Sequence, residues 1–137
     1  MDQRELIFLD ANIFLELVLE DKNAEKCENL IRKIKDQEIK VKTSDFIVYT
    51  CLLQIQQKLK SRKLMQEFIL FINELKDLEI IRPSLIEIYD AIKISEEYKL
   101  DFDDSLVVSC MKNNNIKILT SFDKDFDKVS IIRREEP

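Results

Sequence analysis

Asp10 and Asp123 each close an apolar run that reads as a buried strand, LIFLDANIF over 6–14 and IKILTSFDKDF over 116–126. In an open α/β sheet, ligands bind beyond the carboxyl ends of the strands, so acids at two such ends are placed to meet across one cleft. A third acidic stretch, LDFDD over 100–104, opens a helical pattern and offers Asp101, Asp103 and Asp104. Helical period alone does not choose among them. Three unpaired carboxylates in one small cleft repel each other at neutral pH unless a divalent cation neutralises them. Mg²⁺ or Mn²⁺ suits such hard oxygen ligands. The chemistry open to that arrangement is activation of water for attack on phosphorus, with the nonbridging oxygens clamped by the ion. A single Asp at a strand end is ordinarily an N-cap, and the recurrence on one rim is what points to a site. Asp125 and Asp127, deeper in the last turn, read as capping or solvated groups.

What the chain lacks narrows the chemistry further. Glycine is absent, so no glycine-rich phosphate loop or dinucleotide fingerprint can form. Histidine is absent too, which removes Ser-His-Asp and Cys-His catalysis, paired-histidine ribonuclease chemistry and the usual zinc ligand. Cys27, Cys51 and Cys110 are widely spaced on apolar helical patterns and read as reduced core residues in a thiol-reducing compartment. A net charge of −5 argues against tight, sequence-blind nucleic-acid binding, although a local basic strip can still steer a phosphate backbone. No secretory segment and no apolar run of about 18 residues occurs, so the expectation is a soluble, cytoplasmic protein with no membrane partner.

Strands and helices must alternate to bring these acids together. At 137 residues and 45% hydrophobic content, residues 1–137 are expected to form one domain. Leu6–Leu9, four apolar residues in a row, reads as a central strand buried on both faces. Helical patterns follow over Ile13–Val18 and Ala24–Ile34, then a short extended piece over Ile39–Val41. Thr43, Ser44 and Asp45 offer N-caps for a helix reaching Leu59, which KLKSRK over 58–63 closes with cations that complement its dipole. Leu64–Leu75 is an amphipathic helix, Leu78–Ile81 a strand, and Leu85–Tyr98 a helix expected to turn Leu85, Ile88, Tyr89 and Ile92 inward. Asn113–Asn115 should cap the helix that begins after LDFDD, Asn being the usual stand-in for glycine in a left-handed cap. Strands over Ile116–Leu119 and near Ile131 and Ile132 complete the pattern. The alternation predicts an α/β fold with a parallel sheet covered on both faces.

LIFLDANIF, LDFDDSLVVSC and ILTSFDKDF resemble, in order and over nearly the whole chain, the three acidic motifs of PIN-domain nucleases, including VapC-like toxins. The resemblance implies a three-layer α/β/α fold with a central parallel sheet and Mg²⁺- or Mn²⁺-dependent endoribonuclease activity on RNA. It also implies a homodimer and, for a toxin, an antitoxin partner. It marks Asp10, Asp104 and Asp123 as metal-site acids, with Asn12 and Thr120 as supporting polar groups. Relatives commonly carry a Glu about six residues into the helix after the second extended segment, and Thr50 stands there. The departure admits a weaker metal site, a replacement acid such as Asp45 or Glu16, or a PIN-fold RNA- or protein-binding module that has lost catalysis. Lys58, Lys60, Arg62 and Lys63 are candidates to touch an RNA backbone. Phe68–Ile72, five consecutive apolar residues, also suggest a helix buried on more than one side, as in a dimer. Receiver domains and haloacid-dehalogenase-like phosphatases fit less well, because both resemble patterns with a second acid near the first, and Asp10 stands alone.

Overall fold

The computed structural model describes residues 2–137. Five parallel strands, β1 (Glu5–Leu9), β2 (Ile39–Ser44), β3 (Leu78–Ile81), β4 (Ile118–Thr120) and β5 (Arg133–Glu135), form one sheet in the order β3-β2-β1-β4-β5. The helices are α1 (Ala11–Val18), α2 (Ala24–Lys35), α3 (Asp45–Leu59), α4 (Arg62–Glu74), α5 (Leu85–Tyr98) and α6 (Phe102–Asn113), with a 3-10 helix at Lys124–Lys128. Ile7, Phe8 and Leu9 are all buried, as a strand covered on both faces requires. Strand order reverses between β1 and β4, which makes their carboxyl ends the switch point where α/β sheets hold ligands.

Several local readings change. β2 continues to Ser44, because Thr43 is buried and its hydroxyl donates to the Leu9 carbonyl at 2.9 Å, leaving Ser44 to cap α3 through the Ile47 amide. β4 begins at Ile118 because the Ile116 amide closes α6 on the Met111 carbonyl across left-handed Asn115. β5 begins directly after Ile132, on Arg-Arg-Glu: an edge strand needs backbone pairing, and charge protects it from adding further strands. The basic run does not simply end α3. Lys60 is a left-handed C-cap, whereas Arg62 and Lys63 open α4, where the helix dipole disfavours cations. Without glycine, left-handed positions also fall to Glu20, Gln37 and Lys99.

The inward face of α5 is Ala91 and Ile94, packed on α6, and of the expected stripe only Ile88 is half-buried. Leu85, Ile86, Tyr89 and Ile92 are 83%, 79%, 60% and 54% exposed. α5 is apolar on two faces, and the one carrying small Ala91 allows the closer approach to α6. α4 buries Phe68 and Ile72 but leaves Ile69 and Leu70 outside. All three cysteines are free and buried, and burial pushes their thiols up to about 11 for Cys27 and about 12 for Cys51 and Cys110. No helix among the described residues is long and apolar enough to cross a membrane.

Candidate metal centre

β1 delivers Asp10 to the rim, where its side chain caps α1 and its amide donates to the Thr120 carbonyl at 3.1 Å. The carboxylate is 8% exposed and fully engaged. One oxygen accepts from the Ala11 amide at 2.8 Å, and the other from the Ser121 hydroxyl at 2.6 Å and Asn12 Nδ2 at 3.3 Å. Burial pushes the Asp10 carboxyl above its ordinary range; Ser121 and the Ala11 amide oppose this, while Asp123 and Asp103 add to it.

Ser121 is the hub. Its buried hydroxyl donates to Asp10 and accepts from Asn12 Nδ2 at 3.1 Å and the Asp123 amide at 3.0 Å, using its one donor and both lone pairs. Asn12 closes the loop by accepting from the Phe122 amide at 3.3 Å. The anticipated supporting role of Asn12 has a geometric basis, whereas the hydroxyl that reaches Asp10 belongs to Ser121 rather than Thr120. Thr120 contributes its backbone, pairing with Leu9.

Asp104 lies in the first turn of α6, where the helix dipole favours a carboxylate. One oxygen each from Asp104, Asp123 and Asp125 lie within 4.8 Å of one another. Burial first, then Asp103, Asp123, Asp10 and Asp101, push the Asp104 carboxyl up to about 7. Among the described residues no Lys or Arg pairs with Asp10, Asp104, Asp123 or Asp125; the neighbouring Asp127 is paired with Arg134. Hard oxygen donors and charge without a counter-charge, gathered within one ion's reach, together fit a divalent cation. Asp125 is exposed, as a solvated group would be, and also comes within reach of Asp104 and Asp123; D-x-D in the turn after a strand is the sequence signal for that proximity.

Thr50 is half-buried on α3. The α3 side chain that faces the end of β1 is Cys51, whose sulfur lies 3.8 Å from the Ala11 carbonyl and which feels the Asp10 charge. The two suggested replacement acids have other partners. Glu16 accepts from the Asn23 amide at 3.0 Å, and Asp45 accepts from the Phe46 amide at 2.8 Å and meets Arg82 at 3.5 Å. Lys58 and Lys60 at the far end of α3, and Arg62 and Lys63 at the start of α4, lie roughly 20 Å along α3 from its rim end. Exposed Lys124, between two of the acids, and exposed Arg82, just past β3, are the cations nearer the rim.

The family model described as PIN domain matches residues 7–132. No curated protein matches the chain in sequence. Among solved structures, VapC20 of Mycobacterium tuberculosis, a toxin described as cleaving the sarcin-ricin loop, superposes with a TM-score of 0.76 at 16% identity, over 96% of this chain and 99% of that one. VapBC2 of Rickettsia felis, bound to a DNA fragment from its promoter, gives 0.68 at 18% identity, over 96% and 98%. A toxin-antitoxin complex from Klebsiella pneumoniae gives 0.68 at 15%, over 96% and 99%. At these identities the likeness is one of fold.

Proposed function

The chain belongs to the PIN domain family, and on that premise we propose that it is a cytoplasmic, single-domain, metal-dependent endoribonuclease that hydrolyses RNA phosphodiester bonds as the toxin of a toxin-antitoxin pair. The observation that carries the proposal is the convergence of Asp104, Asp123 and Asp125, uncompensated by any cation among the described residues, beside buried Asp10 at the switch point of the sheet. Asp104, Asp123 and Asp125 hold the ion with Asp10 beside them, and Asn12 and Ser121 orient Asp10 and the Asp123 backbone. A bound Mg²⁺ or Mn²⁺ neutralises the acids and activates water for attack on phosphorus. Lys124 and Arg82 steer RNA phosphates at the rim, and the distant Lys58, Lys60, Arg62 and Lys63 reach only RNA that extends well beyond the scissile bond. Incubation with a mixed RNA pool should give cleavage with Mn²⁺ or Mg²⁺ and none with EDTA. Metal binding without cleavage would leave the catalytically silent binding module in its place.

The partner readings rest on surfaces. An apolar groove of about 560 Å³ runs between α1, α2 and α4, with Leu17, Ile31 and Phe71 in its floor and Arg32, Lys35 and Glu67 on its edges. An amphipathic antitoxin segment with charges of both signs matches that lining, and co-purification with the product of an adjacent reading frame would test it. The exposed apolar stripe of α5 supports a homodimer. Light scattering at micromolar concentration should return twice the chain mass; a monomer would remove the dimer.

Thr50 governs how strong the site is. A Glu at that position adds a further carboxylate, but it must reach round α3 past Cys51, about 100° away on the helix. Thr50→Glu is expected to tighten Mn²⁺ binding by up to about tenfold in calorimetry. The gain should largely vanish in an Asp10→Asn background, since both groups act on one ion. Unchanged or weaker binding would make Thr50 a packing residue outside the metal site and favour the binding-module reading.

A further inference from the structure

We infer that Arg134, on the edge strand β5, is the positioning residue that sets the shape of the acid-bearing loop from Ser121 to Asp127. This rests on the reading of Asp104, Asp123 and Asp125 as metal ligands. The Arg134 side chain is only 11% exposed although its strand lies at the edge of the sheet. It donates to both ends of the loop: Nη1 to the Ser121 carbonyl at 3.0 Å, and Nε and Nη2 to the two carboxylate oxygens of Asp127 at 2.8 and 3.3 Å. Nη1 also reaches Glu136 at 2.8 Å. Ser121 is held on its other side by its own amide, which donates to the Glu135 carbonyl at 3.0 Å.

Pinned at both backbone groups, Ser121 has its hydroxyl fixed where it meets Asp10 and the Asp123 amide. Asp123 and Asp125 therefore hang between two points that one planar fork holds at a set separation. Asp123 in turn fixes its neighbour by accepting from the Asp125 amide at 2.9 Å. The cation's charge is spent locally: Asp127 and Glu136 meet it and are held below the usual carboxylate range by it. Arg134 thus acts through geometry, which a lysine cannot copy, having one point charge and no fork.

Arg134→Lys is expected to keep the far-ultraviolet circular dichroism spectrum and to weaken Mn²⁺ binding about 10- to 100-fold in calorimetry, the range seen when groups that orient ligands are removed. Cleavage by Arg134→Lys should recover its kcat at saturating Mn²⁺ while the half-saturating metal concentration stays raised. Hydrogen exchange in the metal-free protein should quicken at the Ser121 and Asp123 amides. Asp127→Asn, which loosens one end only, should give a smaller loss, and adding it to Arg134→Lys should cost little more. Arg133→Lys, on the same strand but pairing with Glu135, should bind Mn²⁺ as the parent does. If Asp123→Asn weakens Mn²⁺ binding and Arg134→Lys does not, Arg134 only staples an edge strand and the inference is overturned. If neither weakens it, the metal-site reading itself fails. Should Arg134→Lys not fold, the exchange and binding data of Asp127→Asn decide alone: parent-like values overturn the inference.

Discussion

Replacing Asp10 with Asn is expected to abolish Mn²⁺ binding and RNA cleavage while leaving the fold in place. Two physical losses act together. The substitution removes the buried charge nearest the switch point, one that already acts on Asp104. It also sets an amide group among donors: the Ala11 amide, Asn12 Nδ2 and the Ser121 hydroxyl all point at the present carboxylate, and an amide has only one oxygen to offer them. The Ser121 hydroxyl must then turn, and with it the Asp123 amide it accepts from. The loss should exceed the roughly 100-fold that outer partners of a metal ligand contribute. Calorimetry with Mn²⁺ and cleavage of a mixed RNA pool read the effect, with circular dichroism as the control for folding. Unchanged Mn²⁺ affinity would reduce Asp10 to a buried helix cap and leave Asp104, Asp123 and Asp125 to hold the ion alone.

The metal-free protein should lose stability as pH rises from about 4 to about 7, and Asp104→Asn should remove much of that loss. Asp104 is an acid whose carboxyl is pushed up to about 7 by burial and by the acids around it. Between its unfolded value and that value the folded state holds the proton and the unfolded state does not, so raising the pH favours unfolding. Its contribution is fully present below about pH 4 and lost above about pH 7. A fully buried group shifted by three units would contribute about 4 kcal/mol; Asp104 is partly open to water, and about 2 kcal/mol is the discounted figure. Asp10 is raised in the same sense and adds to the slope. Asp127 and Glu136, held low by Arg134, work in the opposite direction, but their stabilisation is lost only as pH falls below the ordinary carboxylate range. Thermal melts in EDTA across pH 4.5 to 8 test this, with Asp104→Asn expected to melt roughly 5 °C higher than the parent at pH 8. A flat pH profile in the parent would mean that solvent already screens the cluster. Mn²⁺ affinity should run the other way, rising with pH through about 7, because the ion competes with the proton.

The fold was legible where pattern and burial coincide. Leu6–Leu9 could only be a strand covered on both faces, and three acidic turns in the right order resembled one family over nearly the whole chain. The α5 face was not legible, because LIEIYDAIKI carries two apolar stripes. The choice between them depends on how closely α6 can approach. The basic run over 58–63 misled for a similar reason: composition marks a cationic stretch but not that a left-handed Lys60 divides it between two helices.

By itself the sequence determined the chemistry available and the strand ends from which it projects. With neither glycine nor histidine, carboxylates were the groups left to gather, and buried apolar strands had to end at Asp10 and at the turn holding Asp123. Tertiary structure alone decided which groups meet. Periodicity is a property of one element, whereas the contact of Ser121 with Asp10 spans 111 positions and exists only because β1 and β4 lie side by side. The same pairing turns Ser121 rather than Thr120 toward Asp10, and the loop beyond it brings Asp125 to Asp104. The charged residues after Ile132 form an edge strand because their backbone pairs with β4, and that register carries Arg134 to the loop.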